Sequence, residues 1–199
     1  MNASTGPERA AEFPGLSVLV EMIDGAVRRG DPEAITSTLR EGLIEAIREK
    51  RCSLPQSVYE VDPAGYARRE LYRSPGLGYS VVAMTWGPGQ GTPVHDHGGL
   101  WCVEGVWHGA LEISQYDVIA EQDERIRLRA GGSILAEAGS AGSLIPPREY
   151  HAIRNPRTDA LAVSLHIYEA PIVTCSMFEP IEGEWYARCM KSLTTRSLD

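Results

Sequence analysis

The sequence contains no apolar run long enough to cross a lipid bilayer, and its first residues lack the basic-then-apolar pattern of a secretory signal peptide. Its four cysteines show no CxxC spacing, so neither a disulfide framework nor a zinc knuckle is indicated. Internal repeats and low-complexity tracts are also missing. We therefore expect a cytoplasmic protein with free thiols and no membrane partner.

Positive charge is also scarce, because 19 Lys and Arg residues face 27 Asp and Glu residues, for a net charge of -8. A face that binds phosphates needs clustered basic residues, so this balance argues against a nucleic acid partner. The chain does have 43% hydrophobic residues over a length of 199. That is enough for one globular domain with a sizeable core, which we expect to be a monomer.

Apolar residues recur with a helical period near the start of the chain. One stripe covers residues 16–27 and stops near Gly30. A second stripe, residues 35–47, follows Asp31 as the N-cap and Pro32 at the first helical position. We expect two helices that pack together against one side of the remaining domain.

Beyond Pro55 the chain changes to short β-rich segments broken by Gly and Pro, a pattern typical of an all-β barrel or a double-sheet jelly roll. Strands are expected at residues 66–73, 78–86, 100–107, 109–118, 126–129, 133–136, 143–146, 150–155 and 160–168. The segment 175–193 is expected to hold turns and at most a strand or a short helix.

These patterns predict a simple domain organisation. A flexible tail covers residues 1–14, and a single domain covers residues 15–199. Within that domain, residues 15–50 form the helical part and residues 58–183 form the β-barrel.

The stretch from Gly89 to Gly109 contains the tripeptide His95-Asp96-His97. Two histidines two apart on an extended segment point to the same side of the strand. Their imidazoles can therefore converge on one metal ion.

The spacing of this stretch resembles the first motif of the cupin superfamily, and a second cupin motif follows about fifty residues later. The matching positions are Gly89, His95, His97 and Gly109 in the first motif, and Pro146, His151 and Asn155 in the second. Cys102 stands where the first motif usually has a glutamate, and Arg148 where the second usually has a glycine. The resemblance implies an all-β cupin, a double-sheet jelly-roll barrel with the N-terminal α-helices packed on it.

A cupin without this glutamate retains three histidine ligands: His95, His97 and His151. Because all three imidazoles are neutral, the metal would keep its double positive charge. Imidazole suits iron, zinc, copper and nickel alike, so the ligands alone do not select the metal. Ser164, His166 and Tyr168 alternate along a predicted strand and share one face, where a hydrogen-bonded relay is geometrically natural.

Residues 58–183 further resemble the cysteine dioxygenase family of thiol dioxygenases. The matching features are Trp86-Gly87 with Gly89, His95-Asp96-His97, Cys102, His151 with Asn155, Ser164-x-His166-x-Tyr168 and Thr174-Cys175. The resemblance implies that the three histidines bind Fe(2+) and that Ser164, His166 and Tyr168 line the site. It also implies that Cys102 and Tyr168 can join as a thioether crosslink.

The family likeness extends to the substrate. Its carboxylate-binding arginine matches Arg68, in Tyr66-Ala67-Arg68, and a guanidinium can hold a carboxylate by parallel hydrogen bonds. Tyr66 would share that face, whereas Arg69 would point the other way, toward solvent.

The resemblance implies oxidation of L-cysteine to cysteine sulfinic acid, with both atoms of O2 added to sulfur. Two alternatives stay open: the same reaction on another small thiol carboxylate of the 3-mercaptopropionate type, and a non-catalytic or zinc-bearing cupin that binds a small molecule.

Overall fold

The computed structural model describes residues 12–196 and residue 198. In chain order the elements are α1 (Leu16–Val27), α2 (Pro32–Arg48), a short 3-10 helix (Gln56–Tyr59), β1 (Ala67–Arg73), β2 (Ser80–Trp86), β3 (Val94–His95), β4 (Cys102–His108), β5 (Ala110–Gln122), β6 (Arg125–Glu137), β7 (Ala141–Leu144), β8 (His151–Arg154), β9 (Ala162–Tyr168), β10 (Thr174–Glu182) and β11 (Trp185–Ser192). Most of the predicted tail lies outside the described residues, but Phe13, near its end, packs against the core.

The strands form two antiparallel sheets. The first has five strands in the order β1-β2-β9-β4-β7. In the second, the pairings run β10-β11-β6-β5-β8-β3 and close on themselves, because β3 pairs with β10. Together with the two helices, this architecture confirms the predicted double-sheet jelly roll with N-terminal helices packed on it.

The central strand of the first sheet, β9, is buried along its whole length. Its alternate residues Val163, Leu165 and Ile167 join the core formed with α1 and α2, so this face of the sheet lies under the helices. The intervening residues therefore face the second sheet and the barrel interior. The sheet has an apolar outer face and an inner face on which polar side chains can be placed.

The helices begin and pack as the sequence predicted. Asp31 caps α2 by accepting a hydrogen bond from the backbone N–H of Ala34, and Pro32 is the first helical residue. Gly105 on β4 allows a close approach of α2, because a Cβ there would lie 2.7 Å from a methyl carbon of Leu43. Helix α2 therefore lies directly on the sheet.

Two parts of the strand prediction were wrong. The segments 126–129 and 133–136 belong to one continuous strand, β6, which pairs with β5 through two register shifts. The C-terminal segment forms a hairpin of two full strands, β10 and β11, so the strands continue to Ser192, beyond the predicted barrel boundary at residue 183. Both faces of these strands carry a mixture of polar and apolar residues, and their pairing is irregular. The sequence therefore shows no regular alternation that would predict them.

The prediction that Arg69 faces solvent was also wrong. It does point away from the barrel interior, but it is only 5% exposed because residues 56–60 cover that side of β1. Its guanidinium donates to the hydroxyl of Thr85 at 3.0 Å and to the carbonyl of Glu60 at 3.0 Å. Arg69 is therefore a structural residue that ties a loop to the first sheet.

Within residues 12–196, the structure contains no helix that is both long enough and apolar enough to span a membrane.

Asn155, from the second cupin motif, stabilises the turn between β8 and β9. Its side-chain amide nitrogen donates toward the carbonyls of Trp86, Gly87 and Ala160 at 3.0, 3.1 and 2.8 Å, and its oxygen accepts from the N–H of Arg157 at 3.1 Å. The residue is fully buried. It therefore joins the end of β2 to the loop before β9.

We predict that Asn155→Asp lowers the free energy of unfolding by about 2–4 kcal/mol, because a carboxylate would face three buried carbonyl oxygens. Urea denaturation would measure the loss. As a control, Asp159→Ala removes only an exposed ion pair with Arg157 and should cost less than about 1 kcal/mol. An Asn155→Asp variant as stable as the control would contradict the assigned role.

Candidate metal and active site

The structure brings the three predicted histidine ligands together. His95 lies at the end of β3, His97 follows two residues later, and His151 begins β8, directly opposite His95 in the strand pairing. The Nε2 atoms of His95 and His151 are 3.1 Å apart, and the candidate ligand atoms of all three rings lie within 4.8 Å of one another. Such a cluster can surround one metal ion.

Each of these rings has an oxygen atom on its outer side. The Nδ1 atom of His95 lies 3.2 Å from the carbonyl oxygen of Pro93. The Nδ1 atoms of His97 and His151 lie 3.7 and 3.5 Å from carboxylate oxygens of Glu149 and Glu104. The contact of His95 is within hydrogen-bond distance, whereas the other two are longer, and Nδ1 of His97 and of His151 has no hydrogen-bond partner among the described residues. An oxygen atom on the Nδ1 side favours a proton on that nitrogen, which leaves the lone pair of Nε2 for a metal.

Burial and mutual repulsion keep the imidazoles of His95 and His151 neutral. Burial lowers the pKa of His95 to about 3, with a further contribution from His97. The pKa of His151 is also lowered well below its ordinary value, first by burial and then by His95 and His97. Neutral imidazole is the form that binds metal, so the rings fit a divalent cation at neutral pH.

The donor set and the charge around it together fit a metal ion. Three imidazole nitrogens converge, while two buried carboxylates lie behind two of the rings. In the absence of a cation, burial raises the pKa of Glu104 to about 8. A positive ion would offset that cost, and the three histidines are the residues that would hold it. The identity of the metal does not follow from imidazole ligands.

A narrow pocket lies beside the histidine cluster. Its walls include Tyr66, Arg68, Trp86, His95, His97, His166, Tyr168, Ile172, Cys175, Met177 and Leu193. Arg68 comes from the inner face of β1, opposite Met84 of β2, and is 5% exposed. Among the described residues, its Nε and Nη1 atoms have no hydrogen-bond partner. A buried guanidinium with unused donors is suited to an anionic ligand.

Tyr66 stacks on Trp86, with ring centroids 4.8 Å apart, and this pair forms one wall of the pocket. The Nε1–H of Trp86 donates to the hydroxyl of Ser164 at 2.8 Å. That hydroxyl is 2.8 Å from Nε2 of His166. Aromatic packing and hydrogen bonds thus join β2 to β9 at the inner face.

Tyr168 shares the inner face of β9 with Ser164 and His166, as the alternation predicts. Its ring stacks against that of His166 at 5.9 Å. However, the described part of the chain shows no hydrogen bond between these two side chains; Nδ1 of His166 instead faces Glu104 at 3.4 Å and the Cys102 sulfur at 4.0 Å. The geometry therefore supports the Ser164–His166 link of the predicted relay and not a direct link to Tyr168.

Cys102 and Tyr168 are directly opposite each other on the neighbouring strands β4 and β9. Opposed residues in an antiparallel pair have Cβ atoms about 5 Å apart, within reach of a side-chain bond. Both residues are buried, and burial raises the pKa of the Cys102 thiol well above its ordinary value. Cys102 is therefore held as a neutral thiol beside the phenol ring.

Sequence reasoning missed Glu104 and Glu149. Each is 5% exposed and faces a histidine of the cluster. A signal for Glu104 was available, because it is the only charged residue in the segment 100–107 and shares the face of Cys102. Glu149 lies in an irregular loop, where no periodicity shows which way a side chain points. The pocket walls contributed by Met177 and Leu193 were missed along with the C-terminal hairpin.

The family model and the curated proteins that match this chain belong to the same family. The family model described as cysteine dioxygenase type I matches residues 42–180. Among curated proteins, cysteine dioxygenase type 1 of Rattus norvegicus is 27% identical over 143 residues, covering 63% of this chain and 66% of the relative. The Bos taurus protein of the same name is 26% identical, covering 70% and 74%. Against the Danio rerio protein, also 26% identical, the chain spans about half of the relative, 52%.

Solved structures show weaker similarity. A protein from Thermus thermophilus is 20% identical, with a TM-score of 0.44, over 57% of this chain and 90% of that protein. An oxalate oxidase in complex with the substrate analogue glycolate is also 20% identical, with a TM-score of 0.45, over 59% and 58%.

We predict that replacing His95, His97 or His151 with Ala abolishes binding of one equivalent of divalent metal, because two imidazoles are a poor site. Elemental analysis after purification and Co(II) titration would measure the loss. His108→Ala is the matched control, since His108 is exposed and separate from the cluster. Full metal binding after removal of any one of the three would contradict the three-histidine assignment.

Proposed function

Because this chain belongs to the cysteine dioxygenase type I family, we propose that it is a non-haem Fe(2+) thiol dioxygenase. Its substrate would be a small thiol that also carries a carboxylate, with L-cysteine the first candidate and cysteine sulfinic acid the product. One observation carries the proposal beyond family membership: a buried arginine with unused donors lines the same pocket as the three converging histidines.

Three histidines and an arginine can recognise the two ends of such a substrate. His95, His97 and His151 would hold the iron, which when bound supplies the redox chemistry that allows O2 to react with a thiol. Arg68 would hold the substrate carboxylate, and its burial would make this charge-assisted contact stronger than it is in water. The narrow pocket, whose walls include Ile172 and Leu193, would exclude bulky thiols.

Tyr168 would supply a proton donor next to the histidines. Burial raises the pKa of this phenol well above its ordinary value, so it stays protonated at neutral pH. A protonated phenol in the pocket wall can donate a hydrogen bond to a carboxylate or to an oxygen atom of the reacting group. The Ser164–His166 pair, anchored by Trp86, would keep the neighbouring wall rigid.

The test of the function is oxygen consumption by the Fe(2+)-loaded protein across a panel of small thiols. L-cysteine, 3-mercaptopropionate and cysteamine differ in which of the amine and carboxylate groups they carry, so the panel separates the substrate alternatives. Sulfinic acid formed in proportion to O2 consumed would support the proposal. No oxygen uptake with any thiol, together with tight zinc binding after iron-replete purification, would favour a small-molecule-binding cupin instead.

We predict that Arg68→Ala lowers kcat/KM for L-cysteine by about 30- to 1,000-fold, since a charge-assisted carboxylate contact contributes on the order of 2–4 kcal/mol. Cysteamine, which has no carboxylate, should be nearly indifferent to the change. Arg69→Ala is the control: it removes a neighbouring buried arginine and should lower thermal stability without discriminating between the two thiols. Equal losses on both thiols with Arg68→Ala would mean that Arg68 is structural.

We further predict that turnover in the presence of iron and O2 converts part of the protein to a form two hydrogens lighter. The two strands oppose Cys102 to Tyr168, so oxidation by O2 can join the sulfur to the phenol ring with loss of one hydrogen from each. Fixing the phenol would reduce the cost of ordering the site, so we expect Cys102→Ser to be less active but not inactive.

Intact mass spectrometry and peptide mapping would test this crosslink. The linked peptide should contain residues 102 and 168 and should be absent from Cys102→Ser. Cys175→Ser, which alters a different buried thiol, one that lines the pocket, should still form the link. An unchanged mass after exhaustive turnover would exclude the crosslink and leave the proposed reaction untouched.

A further inference from the structure

Glu104 stands out as a charged side chain inside the barrel that the proposed reaction does not use. It lies on the inner face of β4, opposite His166 on β9, and is 5% exposed. Its Oε1 atom is 3.5 Å from Nδ1 of His151, and its Oε2 atom is 3.4 Å from Nδ1 of His166. One carboxylate thus lies between a metal ligand and a histidine of the pocket wall.

The positions of the ring protons of His151 and His166 explain why a carboxylate suits position 104. To bind metal through Nε2, His151 must carry its proton on Nδ1. The indole of Trp86 can only donate, so it uses one lone pair of Ser164 and leaves the serine proton free for Nε2 of His166. The proton of His166 is then also on Nδ1. Both imidazoles therefore present an N–H to Glu104, and an ionised carboxylate is an acceptor at both oxygens.

We propose that Glu104 is a positioning residue: it accepts from His151 and His166 together and so holds the metal ligand and the pocket wall in one arrangement. The proposal rests on the metal-binding part of the proposed function and does not depend on which substrate is oxidised. In the described residues, Nδ1 of His151 and Oε2 of Glu104 are buried without a hydrogen-bond partner. The polar atoms that face them, Oε1 of Glu104 and Nδ1 of His166, are 3.5 and 3.4 Å away, so a small shift would complete both hydrogen bonds.

The charge of Glu104 supports the same role. The first cupin motif lacks its usual acidic residue at Cys102, and Glu104 stands two residues later on the same face of the same strand. With Glu149 behind His97, two buried carboxylates lie close to the cluster. Acting through imidazoles, they can balance a divalent charge and make the rings better donors without occupying a coordination position.

The space behind Glu104 makes the residue accessible to experiment. A second cavity of about 280 Å³ extends from Glu104 and Ser164 between β4, β5, β6 and β7, with apolar walls that include Val106, Leu111 and Leu144. An apolar side chain at position 104 would therefore meet free volume and apolar neighbours. Variants at position 104 should therefore fold, and the substitution should alter the behaviour of His151 and His166.

Co(II) titration of the metal-free protein tests the proposal, with the visible spectrum of the bound ion as the readout. Glu104→Leu leaves both Nδ1–H groups without an acceptor, so Co(II) should bind about 10- to 100-fold more weakly. Glu104→Gln keeps the size but offers one acceptor, since its amide nitrogen would oppose the second N–H; we expect a loss of about tenfold. Glu112→Gln is the matched control, because Glu112 pairs with exposed Arg154 on the strand of His151 and should leave affinity unchanged.

A second readout separates positioning from mere stability. Nitrogen-15 spectra of the protein saturated with Zn(II), a diamagnetic ion, should show His166 protonated on Nδ1 in the wild type and a mixture of tautomers in Glu104→Leu. Wild-type Co(II) affinity in Glu104→Leu, or in Glu104→Gln if the first variant does not fold, would overturn the proposal. So would an unchanged His166 tautomer. Neither measurement involves thiol oxidation, so a failure of the proposed function would leave these results interpretable.

Discussion

The site depends on one constraint: the three clustered imidazoles must turn the same nitrogen inward, and the other nitrogen of each ring needs an oxygen atom beside it to hold its proton. The barrel meets this requirement with three different oxygen atoms, the carbonyl of Pro93 and the carboxylates of Glu149 and Glu104. Because a buried imidazole N–H without a partner is costly, these oxygen atoms favour the ring orientations in which Nδ1 points outward. The second sheet supplies His95 and His151 and the first supplies Glu104, so the two sheets must be correctly packed for the site to exist.

Much of the scaffold follows from the sequence because its signals are local. Asp31 and Pro32 mark the start of α2 through capping chemistry that needs no tertiary contact. Alternation along β9 places Ser164, His166 and Tyr168 on one face for the same reason. The predictions that were wrong concerned features that depend on contacts between residues far apart in the sequence. Which residues cover β1, and hence whether Arg69 meets solvent, is decided by the segment 56–60 and cannot be derived from the pattern of β1 itself.

Some residues of the site could also be predicted from the sequence, and others could not. His95, His97 and His151 were predictable because the two motifs have regular spacing, and the structure brings them together. The side chains that orient them belong to no such pattern. Whether a lone acid such as Glu104 faces solvent or an imidazole depends on what the strand opposes, and β9 opposes it with His166. The direction of a proton relay likewise depends on distances that strand alternation cannot supply, which is why the link from His166 leads to Glu104 and not to Tyr168.

The helices, although they contribute no side chain to the histidine cluster, also bear on the chemistry. Along β4, Cys102 and Glu104 face the barrel interior, whereas Val103 and Gly105 face α1 and α2. A shift of one residue in the pairing register of β4 would exchange the two faces. The Glu104 carboxylate would then lie under the helices, where apolar side chains would surround it. Leu43 packs so closely on Gly105 that a larger residue there would displace the Leu43 side chain. The contact between α2 and β4 therefore fixes the register that puts Cys102 opposite Tyr168 and Glu104 opposite His166, so helix packing on one side of the sheet sets the site geometry on the other.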